Sequence, residues 1–112
     1  MSTDGGRSWA DPLVINDASP SGRPKPAVAI SGDGAVYVGW YHAIDAERAE
    51  YRLATLPEGR LDHVITASTN AAGESDQGDY SGMAGLPRGV LAVWVARGQG
   101  GTDTHASLAR LE

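Results

Sequence analysis

The chain has 112 residues and a formal charge of −5, with one lysine, Lys25, against eight dispersed arginines. That length suits one domain at most, and the acidic balance argues against nucleic-acid or anionic-membrane partners. Cysteine is absent, which excludes disulfides, thiolate metal sites and a cysteine nucleophile, and no apolar run approaches transmembrane length.

Residues Ser2 to Trp9 read S-T-D-G-G-R-S-W. An aspartate here can accept hydrogen bonds from the backbone N–H groups of its own turn, and glycine supplies positive φ without steric cost. Asp4 is therefore expected to fasten a turn, with the apolar face of Trp9 packed beneath the hairpin. Leu13–Asn16 follows as a short apolar strand. Fifteen glycines and six prolines break up the rest of the chain, which favours short strands and turns over helices. The expected strands are Pro26–Ile30, Ala35–His42, Ala49–Leu56 and Leu61–Ala67, then Tyr80–Leu86, Val90–Arg97 and Thr104–Leu111. Ser31-Gly32-Asp33-Gly34 is a hairpin turn. It is no phosphate cradle, since no G-K-[S/T] follows.

The chain repeats. Gly34-Ala35-Val36-Tyr37-Val38 and Gly89-Val90-Leu91-Ala92-Val93 are 55 residues apart, as are Leu53-Ala54-Thr55-Leu56 and Leu108-Ala109-Arg110-Leu111. Trp40 and Trp94 are 54 apart, which implies a bulge, a different strand exit, or limited similarity. Val64-Ile65-Thr66 has a counterpart in Leu13-Val14-Ile15-Asn16. Within the second strands, Val36, Val38 and Trp40 oppose Tyr37, Gly39 and Tyr41, and Val90, Ala92 and Trp94 oppose Leu91, Val93 and Val95. Both faces are apolar, so each sheet needs cover on both sides.

The spacing of Ser2, Asp4, Gly6, Ser8 and Trp9 resembles the Asp-box, or bacterial neuraminidase repeat, of sialidase-like β-propellers. A period near 55 suits a four-stranded blade with generous loops. The resemblance implies an all-β propeller of about two blades. Residues 1–19 would be an Asp-box hairpin with an outer strand, 20–68 a first blade, and 69–112 a second blade lacking its outer strand. It would be a partial propeller or one copy in a head-to-tail ring, because the two chain ends read as the two sides of one hairpin. Its expected partners are glycans or sialosides, and either further blades or further copies of itself, three giving six blades. The family is secreted or periplasmic, although this chain shows no leader.

In that family the loops Asn16–Lys25, Ala43–Arg48, Ser68–Asp79 and Gly98–Asp103 would lie on the functional face, beside His42 and His105. The Asp-box would lie on the opposite face, with a structural role. Tyr80, within G-D-Y-S, resembles the neighbourhood of the tyrosine nucleophile, and Arg23, Asp79 and Arg97 stand where ligand groups would be. The guanidinium fork suits a substrate carboxylate. However, no glutamate can be assigned as the partner of Tyr80, and a full arginine triad needs blades the chain does not contain. The reading is therefore a glycan-directed segment that is not catalytic by itself. The alternatives are a self-assembling carbohydrate-binding propeller and an exo-α-sialidase. No cofactor is expected. Glu74, Asp76 and Asp79 could offer oxygens to calcium, but they lack EF-hand spacing and fall short of six ligands, so a solvated acidic loop is expected. His42, His63 and His105 have no metal-ligand spacing. Trp40 and Trp94 are expected to pack between sheets rather than to stack on sugar.

Overall fold

The computed structural model describes residues 2–16, 25–45, 47–57, 63–73, 82–98 and 101–109. Seven strands run through them: β1 Ala27–Ile30, β2 Val36–Ala43, β3 Arg48–Leu56, β4 His63–Ala72, β5 Gly82–Leu86, β6 Gly89–Gly98 and β7 Gly101–Ala109. The fold is all-β and antiparallel, as β-rich alternation and frequent turn residues imply. β1 to β4 form one meander and β5 to β7 a second.

The two meanders belong to one sheet. They join in the order β1-β2-β3-β4-β6-β5, with β7 on the other side of β6. The join is a single bridge, Ala71 to Ala96. It forms because β4 runs on to Ala72 instead of stopping at Ala67, and because two register shifts opposite Tyr51 turn its end toward β6. Fully buried alanines at 71, 72 and 96 let the backbones approach. At the other end of the path β1 meets β5. The Gly32 N–H donates to the Leu86 carbonyl at 2.6 Å, and Gly85 lies against the Ile30 carbonyl with no room for a Cβ. The sheet is thus nearly closed and barrel-like.

The core lies between the meanders. Tyr37, Tyr41, Tyr51 and Leu53 of the first face Val90, Ala92, Trp94 and Ala96 of the second. Tyr51 stacks on Trp94 with centroids 4.9 Å apart and planes 9° apart, and Tyr41 meets Tyr51 edge-on at 5.1 Å. Such pairs add about 0.5–1.5 kcal/mol each beyond the area they bury. Tyr41 also accepts the Val95 N–H at 2.8 Å, which stitches β2 to β6. Gly39 leaves space for the Tyr51 hydroxyl. Burial, reinforced by the neighbouring Tyr41, pushes the Tyr51 phenol up to about 12. Trp40, Ala54 and Leu56 form a second cluster on the opposite face of the first meander, with Val36, Val38 and Ile15 against it.

Three expectations need correction. Leu13–Asn16 is not a strand, because none of these residues joins a ladder, and the side chain of Ile15 instead packs against the Trp40 cluster. Trp9 does not pack beneath a hairpin. It is 72% exposed, and its indole N–H turns back to the Gly6 carbonyl at 3.2 Å. The period of 55 also fails for the third strand. Pairing places Leu108 opposite Leu91, and Thr55 opposite Tyr37. With Trp40 matched to Trp94, Leu108 thus stands in the place of Thr55, not of Leu53. With a second-strand offset of 54 or of 55, the L-A-x-L match is out of register.

Gly85→Ala should lower stability by about 1–3 kcal/mol in urea unfolding, because backbone rather than a movable side chain meets the new methyl. Tyr41→Phe should cost about 1–3 kcal/mol by the same measurement, because it orphans the Val95 N–H.

Candidate functional site

Antiparallel alternation sorts the chemistry to two ends of the sheet. One end carries the β1–β2 and β5–β6 turns. The other carries Lys25, the β2–β3 loop, the end of β4, and the β6–β7 connection. The second end is the candidate site.

Its β2–β3 loop is built around Asp45. One carboxylate oxygen accepts the Glu47 and Arg48 N–H groups at 2.9 and 2.8 Å. The other accepts Arg48 Nε at 2.9 Å and pairs with Arg48 Nη2 at 2.7 Å. The Arg48 guanidinium, followed by the Glu47 N–H, holds the Asp45 carboxyl below its ordinary range. Since both groups are exposed, the pair shapes the loop more than it stabilises the fold. The Gly73 N–H donates to the Glu47 carbonyl at 3.1 Å and draws the end of β4 to this loop. Asn70 makes the matching tie to the second meander, with Nδ2 donating to the Arg97 carbonyl at 3.0 Å. The Arg97 backbone is thereby fixed while its side chain stays exposed. Lys25, just before β1, has φ of 43°, a region sparsely used by residues other than glycine. Glu50 and Arg52 form a half-buried ion pair at 2.8 Å on the Trp40 face of β3.

Of the residues singled out in the sequence, Arg97 and His42 are brought to this end, whereas His105 lies in mid-strand opposite Trp94. Arg23, Asp79 and Tyr80 lie outside the described residues, as do Glu74 and Asp76. The side chain of His63 is likewise outside them. Among the described residues no three His, Asp or Glu side chains gather as metal ligands. His105 meets the edge of Trp94 at 6.4 Å. Trp40 and Trp94 are 2% and 4% exposed, so neither offers a face to a sugar. Asp45, Arg48 and Asn70 were not anticipated. D-x-x-R in a short loop is a readable signal for the first two, whereas nothing in the sequence marks Asn70.

Away from this end, Ser2 to Trp9 form an autonomous turn. Asp4 Oδ1 accepts the Ser2 hydroxyl at 2.9 Å and the Arg7 and Ser8 N–H groups at 3.0 Å each, and Oδ2 accepts the Ser8 hydroxyl at 2.5 Å. The Ser2 hydroxyl in turn accepts the Gly6 N–H at 2.8 Å. Gly5 and Gly6 take φ of 75° and 88°, where a side chain would be strained. Ser31 and Asp33 repeat the device in the β1–β2 hairpin. There Asp33 accepts the Ser31 hydroxyl and, at 3.3 Å, the Ala35 N–H. No family model, curated protein or solved structure matches the chain.

Hydrogen bonds from the Ser8 side chain and backbone, then from Ser2, pull the Asp4 carboxyl down from 3.8 to about 2. A depressed carboxylate holds its turn fully above its unfolded pKa and releases it as pH falls through the folded value. The Arg7 and Ser8 amide resonances should therefore titrate with a midpoint near 2, and one near 3.8 would show that the carboxylate is unbound. Asp4→Ala should abolish this titration and the slow exchange of the Gly6, Arg7 and Ser8 amides.

Proposed function

We propose that the chain is a segment of a sialidase-like Asp-box β-propeller that binds glycan rather than cleaving it. The observation that carries this reading is the turn at Asp4. Its carboxylate gathers two hydroxyls and two backbone N–H groups from residues placed as the Asp-box spacing places them. Two successive antiparallel meanders, with their first strands β1 and β5 in contact, support a reading as adjoining blades. The merged bridge at Ala71 would then be a local contact between the outer strand of one blade and the next blade.

The glycan would meet the end of the sheet that carries Arg97, Asn70 and the Asp45–Arg48 loop. Arg97 suits a sugar carboxylate, since its backbone is held by Asn70 while its planar fork of donors stays exposed. Arg23 and Asp79 would join it by the resemblance. Hydrolysis would require Tyr80 to act as nucleophile with a glutamate partner, and that part of the reading rests on resemblance alone. The strands needed to complete a propeller would come from further blades or from two further copies. A secreted or periplasmic setting goes with this reading.

Saturation-transfer NMR with sialyllactose, paired with a fluorogenic sialoside assay, tests it. The wild-type chain should bind the sugar and release no sialic acid. Arg97→Ala should weaken binding at least fivefold with an unchanged thermal midpoint. Absence of any sialoside binding sinks the glycan reading. Turnover lost in Tyr80→Phe would replace it with the hydrolase reading.

A further inference from the structure

Trp40 and Trp94, one in the second strand of each meander, supply a match between the two meanders. β2–β3 pairs Trp40 with Arg52 and Val36 with Leu56, and β6–β7 pairs Trp94 with His105 and Val90 with Ala109. Matching Trp40 to Trp94 places Val38 on Ala92, and Tyr37, Gly39 and Tyr41 on Leu91, Val93 and Val95. Inside the chain, the Trp94 face of the second meander packs on the Tyr41 face of the first. By the same relation, the Trp40 face of the first meander is built to lie on a Leu91–Val93–Val95 face.

Both of those faces are incompletely covered. Val28 and Ile30, beside Val38 and Val36, are 64% and 63% exposed, and Leu108, beside Leu91, is 58% exposed. They lie on opposite sides of one chain and cannot meet each other there. A second observation says what covers them. β4, the strand leading into the second meander, lays Ala67 and Ala71 against the cluster containing Trp94. The segment leading into the first meander lays Ile15 against the cluster of Trp40, Ala54 and Leu56. Ile15 thus stands to Trp40 as β4 stands to Trp94. But β4 is a strand paired to β3, whereas 13–15 is not part of any strand and leaves Leu13 and Val14 exposed. Among the described residues, no strand pairs with the outer edge of β7. Such an edge is a template for strand addition.

We propose that a second copy of the chain docks head to tail. Its β7 takes Leu13–Asn16 of the first copy as an added antiparallel strand, and its Leu91–Val93–Val95 face covers the Trp40 face. The register follows from β3–β4, where Thr55 faces His63, Ala54 faces Val64 and Leu53 faces Ile65. Carried over, Leu108 faces Leu13, Ser107 faces Val14 and Ala106 faces Ile15. This alternation puts Leu13 and Ile15 on the same face as Leu91, Val93 and Leu108. That face turns toward the Trp40 cluster, where Ile15 already lies. The proposal shares the propeller arrangement with the preceding subsection but not its ligand, so a failure of glycan binding leaves this contact standing, and the reverse.

Because the chain has no cysteine, introduced thiols report the contact without background. Leu13→Cys and Leu108→Cys are made as separate variants at exposed positions, mixed, and mildly oxidised. The expected result is a disulfide-linked dimer, at least tenfold more abundant than from Val14→Cys mixed with Leu108→Cys. Sedimentation equilibrium of the wild type should give a multiple of 11.6 kDa at micromolar concentration. A folded wild-type monomer overturns the proposal. So does a Leu13→Cys/Leu108→Cys double variant that crosslinks only within its own chain, or an assembly in which the mixed variants do not crosslink.

Discussion

The stack of Tyr51 on Trp94 is the contact on which the rest of the structure depends. Neither meander can bury its aromatic face alone, so each takes its cover from the other. The stack brings the two faces together, Tyr41 edges against Tyr51 and caps the Val95 N–H, and glycine and alanine elsewhere set the distance. Gly39 is the clearest case. Any side chain there would meet the Tyr51 hydroxyl and the Met83 methyl, and the rings would be pushed out of plane. Small residues facing large rings give the interface its shape.

Position of the candidate site follows from this packing. Once β2 and β6 are joined across the core, the ends of β2, β4 and β6 fall at the same end of the sheet. Asn70 and Gly73 then need only short polar ties to bring loops from both meanders together. The charged loop of Asp45 and Arg48 is shaped by its own hydrogen bonds, independently of the core. The two Asp-centred turns are local in the same sense. Each satisfies its backbone with a carboxylate and a hydroxyl two residues earlier, so sequence of only a few residues specifies them.

That locality explains what could be read from the sequence. All seven strands were legible, because alternation and turn residues act over short spans. Their grouping into two meanders came from the repeat and the blade resemblance, and the ladders β1-β2-β3-β4 and β5-β6-β7 agree with that grouping. The run of β4 past Ala67 was not legible. It depends on the bulges opposite Tyr51 and on alanines in β6 that are distant in sequence. The exposed position of Trp9 was misread because the motif was credited with a hairpin partner that these residues do not have. The third-strand repeat was misread because leucine and alanine recur by chance in short apolar strands. At the site, Arg97 could be named from its strand end, but Asn70 could not. Its role is to reach a carbonyl across a junction that only the folded chain creates.

The geometry between the meanders has a further meaning for an assembly built head to tail. A heterologous contact repeats one rotation from copy to copy, so closure requires that rotation to divide a full turn. In such an assembly part of that rotation would come from the angle between the two meanders, which the near-parallel stack of Tyr51 and Trp94, with interplanar angle 9°, and the absence of bulk at Gly39 help to set. Those few side chains therefore act as a protractor. A change that tilts the rings would leave each contact intact and alter the count of copies, and a rotation that no longer closes yields an open filament in place of a ring.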